Sequence, residues 1–597
     1  MPTPNRLNGY ASIGDYAAIG DGRTVALVAR DGAIDWLCLP DLDSPSVFGA
    51  LLDADTGGRF ELQPEGAFET TRRYLPGTNV LETTLTTSEG VVRVTDAMAL
   101  PTSGLAPYRE LVRRIEGISG RVAMRWHIEP RPGYGRRVRL ERRAGVPIAT
   151  HGQDAVAMIA WDAGEPVQDD GGIDGRFLTA EGSLAHVVIA AARQEPLVLP
   201  ARPEVESRLE ATERAWRDWS AGRMYEGPWR DAVLRSALAL KLLVFAPSGA
   251  IAAAATTSLP ETIGGERNWD YRFSWPRDSA FTLRALLALG CSREASAFFS
   301  WLLHASQLTY PEVRVLYRLN GRAEARERPL PLAGYRGSRP VRVGNGAAGQ
   351  TQLDVYGEVL DAAHEVARSA GGLDRDHARW LAGVADHVCA IWRQPDAGIW
   401  EVRSEAEHFT QSKMMCAVAL DRACKLAGQG FLRGDAAGWR RERDEIRAFV
   451  ESRCYSEDKR SYTRSADEDL LDASLLLGVI GRYDEATGPR LLGTVDAVRL
   501  ELCHGPFVTR YLDEDGLPGE EGAFLACSFW LVEAYARQGR LDEATALMDE
   551  LIGLSNDVGL YAEEIDPATG AFLGNFPQAL SHLALINAAV AVVEATG

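Results

Sequence analysis

Two regimes of hydrophobic patterning divide the chain. From about residue 11 to 200, short runs rich in β-branched residues alternate apolar with polar positions and are broken by Gly, Asp and Pro. Residues 24–28, 91–95 and 185–190 are such runs, and Arg30-Asp31-Gly32 and Ser88-Glu89-Gly90 supply turns between them. Many short alternating strands with frequent turns predict an antiparallel β-sandwich over residues 1–201. The pattern then changes. Residues 202–221 read as a charged helix inside a linker at 202–227. From Pro228 to the end, over 228–597, apolar positions recur at helical spacing. The spacing predicts helices over 228–246, 277–290, 292–305, 351–368, 375–393, 409–427, 435–453, 468–480, 486–500, 521–538, 540–554 and 577–595. Twelve helices with no strands of comparable length between them are what an (α/α)6 barrel needs.

The connections sharpen this reading. Gly290-Cys291 and Gly539-Arg540 are very short joins, whereas 247–276, 306–350, 394–408 and 555–576 are long and rich in aromatic and charged residues. Long loops confined to alternate connections lie at one end of a barrel, where a site is built.

Composition excludes some partners. A length of 597 residues exceeds one ordinary core. With 64 Lys and Arg against 83 Asp and Glu, the net charge is −19, which argues against nucleic acid or an anionic membrane as partner. The basic run from Arg136-Arg137 to Arg142-Arg143 reads as a solvated strand or loop. Eight scattered cysteines without a CxxC suit buried thiols in a reducing compartment. The amino terminus lacks an apolar leader segment, and no uncharged apolar run reaches 18 residues. The expectation is a soluble, cytoplasmic protein.

The densest chemistry lies in Glu266-Arg267-Asn268-Trp269-Asp270-Tyr271-Arg272-Phe273-Ser274-Trp275-Pro276-Arg277-Asp278. Four aromatic rings and a proline are interleaved there with three Arg, two Asp and a Glu. Rings beside planar donors and carboxylates suit a ligand that is apolar on its faces and hydroxylated on its edges, as a pyranose is. Gly344-Asn345-Gly346-Ala347-Ala348-Gly349 fits GxGxxG but lacks the strand–turn–helix setting of a dinucleotide site, so tight backbone packing is expected. The ten His show no ligand spacing, and neither a metal nor a cofactor is expected. His408 and His582, near the candidate loops, read as hydrogen-bonded packing residues.

Two acidic spots sit on long loops. Gly398-Ile399-Trp400-Glu401-Val402-Arg403 sets a carboxyl beside an indole, which suits a general acid. Tyr561-Ala562-Glu563-Glu564-Ile565-Asp566 holds adjacent carboxylates ahead of the last helix, and one held toward a cleft can act as a base. Two carboxylates and an aromatic platform describe a glycosidase.

The stretch Asn268 to Asp278 resembles the first signature of glycoside hydrolase family 15, the glucoamylase family. Gly398-Ile399-Trp400-Glu401 resembles its acid-bearing region and Tyr561 to Pro567 its base-bearing region. Further matches are Pro340 to Gly346, Leu353 to Glu358 and Gly574-Asn575-Phe576-Pro577-Gln578. Asp35-Trp36-Leu37-Cys38-Leu39-Pro40 and Asp43 to Phe48 are similar to the bacterial trehalase-like branch. The resemblance spans nearly the whole chain. It implies a β-sandwich followed by an (α/α)6 barrel, with Glu401 as general acid and Glu563 as general base, the register being set by Asp566. It also implies that Arg277 and Asp278 grip hydroxyls of the terminal glucose, that Tyr271, Trp275 and Trp400 are site aromatics, and that Arg510 contacts substrate. Two departures touch specificity: Val402 and Arg403 follow the acid where a second carboxylate is common, and Arg131-Pro132-Gly133-Tyr134-Gly135 lacks a Phe-Asp before Tyr-Gly.

The expected activity is inverting, exo-acting hydrolysis of a small α-glucoside, with trehalose first and α-1,4 or α-1,6 gluco-oligosaccharides next. The two carboxyls of an inverting enzyme lie ~6.5–9.5 Å apart. A disaccharide phosphorylase is the alternative, but a carboxylate at 563 would repel phosphate. A sugar-binding protein without activity has no need of both acids. A homo-oligomer is compatible with the sequence, and the sandwich is expected to pack on the barrel and lend a loop to the pocket rim.

Overall fold

The computed structural model describes residues 6–101, 109–168, 171–512 and 521–596. The strands of the first part pair antiparallel throughout, in two layers that share one element. That element, Arg109–Ile128, is 20 residues long. Its first half pairs with Gly90–Met98 and Leu184–Arg193, its second with Phe60–Pro64 and Ile173–Ala180. The ladder breaks between Gly117 and Ser119, where the extra residue Ile118 forms a bulge. Nearby Gly120 has φ 66°, and a Cβ there would meet the Glu89 carbonyl oxygen at 2.0 Å, so only glycine fits the bend.

Tyr16–Gly20, Val25–Ala29 and Ile34–Cys38 are buried along their whole length, because the helical half covers them. Trp36 Nε1 donates to the Ala255 carbonyl at 2.9 Å and Asn79 Nδ2 to that of Leu238 at 3.0 Å. The helix Arg202–Ala221 packs Val205 against Val112, Ile148 and Val188 of the other layer. Arg208 holds Glu110 through two bonds of 2.7 and 2.6 Å.

The helical half is an (α/α)6 barrel. Ser279–Ala288, Asp354–Ala370, Thr410–Gly428, Leu477–Ile480, Leu525–Arg537 and Ala579–Thr596 pack side by side in a closed inner ring. The helices Arg230–Leu243, Ser292–Gln307, Arg375–Ile391, Ala436–Arg453, Pro489–Glu501 and Leu541–Ile552 form the outer ring. Ala579–Thr596 is long and apolar enough to cross a membrane, and its place in the inner wall accounts for that composition.

One element departs from the pattern. The helix expected over 468–480 reduces to a 3-10 turn, Ala473–Leu476, running into a single α-turn, Leu477–Ile480. Asp472 caps it, accepting from Ser474 N at 2.6 Å, so the chain before it is fixed outside the helix. The long connections lead into the inner helices at one end of the barrel. Two further ones, between Arg453 and Ala473 and between Glu501 and Leu525, belong with those anticipated. They also carry short ladders: Thr257–Pro260 pairs with Asn268–Asp270, and Arg328–Leu330 with Val341–Val343.

The glycine-rich segment packs tightly. Gly344, at φ 77°, donates its N–H to Asp270 Oδ2 at 3.1 Å, and a Cβ there would meet the Arg326 carbonyl oxygen at 2.1 Å. His582 is buried with Ser236 Oγ 3.0 Å from Nδ1, and burial pushes its pKa down to about 3. His408 packs edge-on against Phe449.

Candidate active site

The segment from Asn268 to Asp278 crosses the mouth of the inner ring and turns into the helix Ser279–Ala288 through a 3-10 turn at Pro276–Asp278. The pocket there encloses about 810 Å³, mouth included. Tyr271, Arg277, Asp278, Trp400, Glu401 and Arg510 all line it. Six residues named from sequence therefore converge from three separate connections.

Glu401 stands on the pocket wall. Trp275 donates its indole Nε1 proton to Glu401 Oε1 at 2.7 Å, and Arg277 Nη1 lies 3.4 Å from the same oxygen. Arg277 Nη1 also donates to the Ile399 carbonyl. Trp275 is only 2% exposed, so it stands behind the carboxylate as a donor rather than offering a face to a sugar. Glu401 has φ 59°, a left-handed conformation costing roughly 1–2 kcal/mol in a residue with a Cβ. Its N–H bonds the Gly398 carbonyl at 3.2 Å, and Gly398 is itself left-handed with the Phe409 ring 2.7 Å from where a Cβ would be. The tight turn aims the carboxylate into the pocket.

Beside it, burial raises Asp278 to a pKa of about 6 against the pull of Arg277. Trp400 faces the pocket with its Nε1 2.9 Å from both Asp472 oxygens, and Phe524 and Trp530 pack on it. The Asp472 that starts the shortened helix thus also fixes the indole.

The second acidic spot divides. Glu564 and its neighbour Ile565 form the middle strand of a small sheet with Ala523–Phe524 and Phe572–Leu573. Successive side chains of a strand point to opposite faces. Glu564 lies 3.5 Å from Arg510 Nη2, while Glu563 Oε2 accepts from Asn575 N at 3.1 Å and the same carboxyl lies close to the Tyr271 hydroxyl. Glu563 is 1% exposed and sits behind the pocket wall formed by Tyr271. Burial pushes its pKa up to about 8, and the Glu261 charge pushes in the same direction.

Sequence reasoning passed over Glu261, which lines the pocket and accepts from Arg510 Nη2 at 3.0 Å. It follows the strand Thr257–Pro260, just outside the aromatic stretch. Glu521 completes the set around Arg510. Carboxylate oxygens of Glu261, Glu521 and Glu564 lie within 4.8 Å of one another, the spacing of a cation site, but the Arg510 guanidinium contacts all three. At the rim, the guanidinia of Arg342 and Arg403 lie 4.5 and 4.2 Å from the Trp269 ring centre. Among the described residues, the sandwich contributes none to the pocket lining. Its Tyr134 instead accepts from Arg272 Nη2 at 2.9 Å, and Arg272 holds Asp270 through bonds of 2.8 Å, bracing the segment from behind. The loop expected at the rim is a buttress.

Comparison with known proteins shows the family and the fold. A family model described as glycosyl hydrolases family 15 matches residues 227–590, and one described as trehalase-like, N-terminal, matches residues 8–209. A trehalase of Mycolicibacterium smegmatis is 40% identical, over 99% of this chain and 93% of the relative. A trehalase of Thermoplasma volcanium is 34% identical over 99% of this chain and 95% of its own length. A bacterial glucoamylase solved in complex with acarbose superposes with a TM-score of 0.73 at 12% identity, over 100% of this chain and 97% of that one, which shows a shared fold.

Proposed function

The chain belongs to glycosyl hydrolases family 15, and from that premise we propose that it hydrolyses trehalose, with short α-1,4 and α-1,6 glucosides as poorer substrates, by an inverting acid–base mechanism. Glu401 gives its proton to the glycosidic oxygen as the bond to the anomeric carbon breaks. A water attacks that carbon from the opposite face and loses a proton to Glu563. Arg277 and Asp278 hold the hydroxyls of the terminal glucose, whose anomeric carbon is attacked, and the pocket admits one chain end.

The observation that carries this reading is the placement of Tyr271. Tyr271, Glu261 and Glu401 line one pocket, and Glu563 lies close behind the Tyr271 side of its wall, so the two carboxyls proposed as acid and base approach the same cavity from different sides. The likeness to two trehalases over nearly the whole chain supports the substrate. A phosphorylase fits less well, because Glu261, Glu521 and Glu564 surround Arg510 where phosphate would enter. The eight unpaired cysteines suit a cytoplasmic setting.

Proton NMR of the first turnovers on trehalose tests the reading. Inversion releases equal amounts of α- and β-glucose before mutarotation, since one ring is inverted and the other leaves unchanged. Release of α-glucose alone would mean retention and would defeat the mechanism.

A further inference from the structure

A cluster of charged side chains at the pocket mouth takes no part in the acid–base step. Arg403, two residues past Glu401, lines the pocket together with Trp269. Its guanidinium lies over the Trp269 ring, 4.2 Å from the centre, and Nη2 donates to Glu327 Oε2 at 3.1 Å. The same oxygen accepts from Gly346 N at 3.0 Å, and Glu327 Oε1 pairs with Arg342 Nε at 3.3 Å. Arg342 also lies over Trp269, at 4.5 Å, and donates from Nη1 to the Glu266 and Asn268 carbonyls at 2.7 and 3.1 Å. Gly346 leaves room for this clasp, since a Cβ there would lie 3.3 Å from both Arg403 Nη2 and Glu327 Oε2.

The two arginines are tied differently. Arg342 is committed to two carbonyls and a carboxylate on the segment that carries Trp269. Arg403 is held by one nitrogen and by the ring, so most of the five donors of its planar group stay open to a ligand. Its place relative to the acid says which ligand. Arg277 and Asp278, with side chains 13% and 15% exposed, form the deep side of the pocket, and Arg403, at 37%, stands at the mouth. An acid must reach the oxygen that joins the two sugar rings. With the first ring against Arg277 and Asp278, the second ring falls on the other side of Glu401, toward Arg403 and Trp269.

We propose that Arg403, laid on Trp269 and tethered by Glu327, determines the aglycone specificity of the site: it binds hydroxyls of the second glucose and closes the mouth to a third ring. The inference rests on the reading of Glu401 as the acid of a trehalose-hydrolysing pocket. The guanidinium fork matches two neighbouring sugar oxygens, and the tether holds it across the path that a longer chain would take.

The test is kcat/KM on trehalose and on maltotriose for wild type, R403A, R403K and E327Q. In R403A the KM for trehalose rises about tenfold while kcat changes by less than about threefold, because a contact made before and during reaction is lost. The ratio of kcat/KM on maltotriose to that on trehalose rises about tenfold or more, since the third ring gains space as the second loses its donor. R403K, with the charge but not the fork, moves the ratio the same way by a smaller step. E327Q frees Arg403 without removing it, and it decides the matter if R403A does not fold. A ratio left at the wild-type value, with both substrates affected alike, would reduce Arg403 to a brace for the turn at Glu401 and overturn the proposal. Failure of the parent reading looks different: a wild type without trehalose hydrolysis, or an E401Q variant with full activity.

Discussion

Trp275 Nε1, a neutral donor, bonds Glu401 Oε1 at 2.7 Å across 126 residues of sequence. The other neighbour of the same oxygen is the Arg277 guanidinium at 3.4 Å. A neutral donor and a cation on one oxygen leave the second oxygen toward the pocket, where a proton is needed. Glu401, the proposed acid, is thus held by the same segment that carries Arg277 and Asp278.

Trp275→Phe keeps an aromatic body in the buried slot and removes the donor. A hydrogen bond to a charged group is worth ~1.5–3 kcal/mol, so kcat on trehalose falls about 10- to 100-fold with KM changed little. Steady-state kinetics checks this, and a loss confined to KM would place Trp275 among substrate contacts instead.

Asp278 gives a pH signature on binding. Burial raises it to about 6. Above that pH the carboxylate is charged and accepts hydroxyl protons, and below it the neutral acid accepts them less well. KM for trehalose therefore rises as pH falls through about 6. Asp278→Asn raises KM roughly tenfold or more at neutral pH and abolishes this dependence, which a KM-against-pH series measures.

Gly574 lies against Glu563, the proposed base. It has φ 70°, and a Cβ there would come 2.5 Å from Glu563 Oε2. Gly574→Ala meets both a backbone cost of ~1 kcal/mol and a displaced carboxylate. The expected result is a kcat at least tenfold lower with a drop of a few degrees in Tm, read by kinetics and thermal melting side by side.

Much of this was legible in the sequence, because period-two and helical patterning report which faces are buried. The helix at 202–221 and eleven of the twelve barrel helices follow from spacing alone. The exception, 468–480, has apolar residues at the right intervals, and what shortens it is Asp472 capping Ser474 while holding Trp400, a relation no local pattern contains. Glu401, Arg277, Asp278 and Arg510 stood in recognisable motifs. Glu261 did not, since its meaning comes from Arg510, 249 residues later. Trp275 carried a different limit: composition marks a ring as able to stack, but only burial shows that its N–H is the useful edge. Tyr134 followed the same logic, a loop residue whose hydroxyl meets Arg272 from the far side.

The contact between the two halves makes a prediction about acid stability. Arg72, buried, holds Asp557 through bonds of 2.9 and 2.7 Å, joining the sandwich to the connection before the last inner helix. Burial alone would raise the Asp557 pKa, but the Arg72 bonds and charge outweigh it and hold the pKa below its usual value. A depressed carboxylate pKa contributes stability that is fully present above the unfolded-state value of ~3.9 and is lost as pH falls through the folded value. Arg72→Met removes the cation, and Arg30, 3.2 Å from Asp557, compensates only in part from its more exposed position. The variant is expected to lose ~1–3 kcal/mol at neutral pH. Its deficit against wild type then shrinks as pH drops below about 4, because protonated Asp557 no longer needs the partner. Melting curves of both proteins between pH 3 and pH 7 show this as converging midpoints, and a constant gap across that range would mean that Arg72 acts through packing alone.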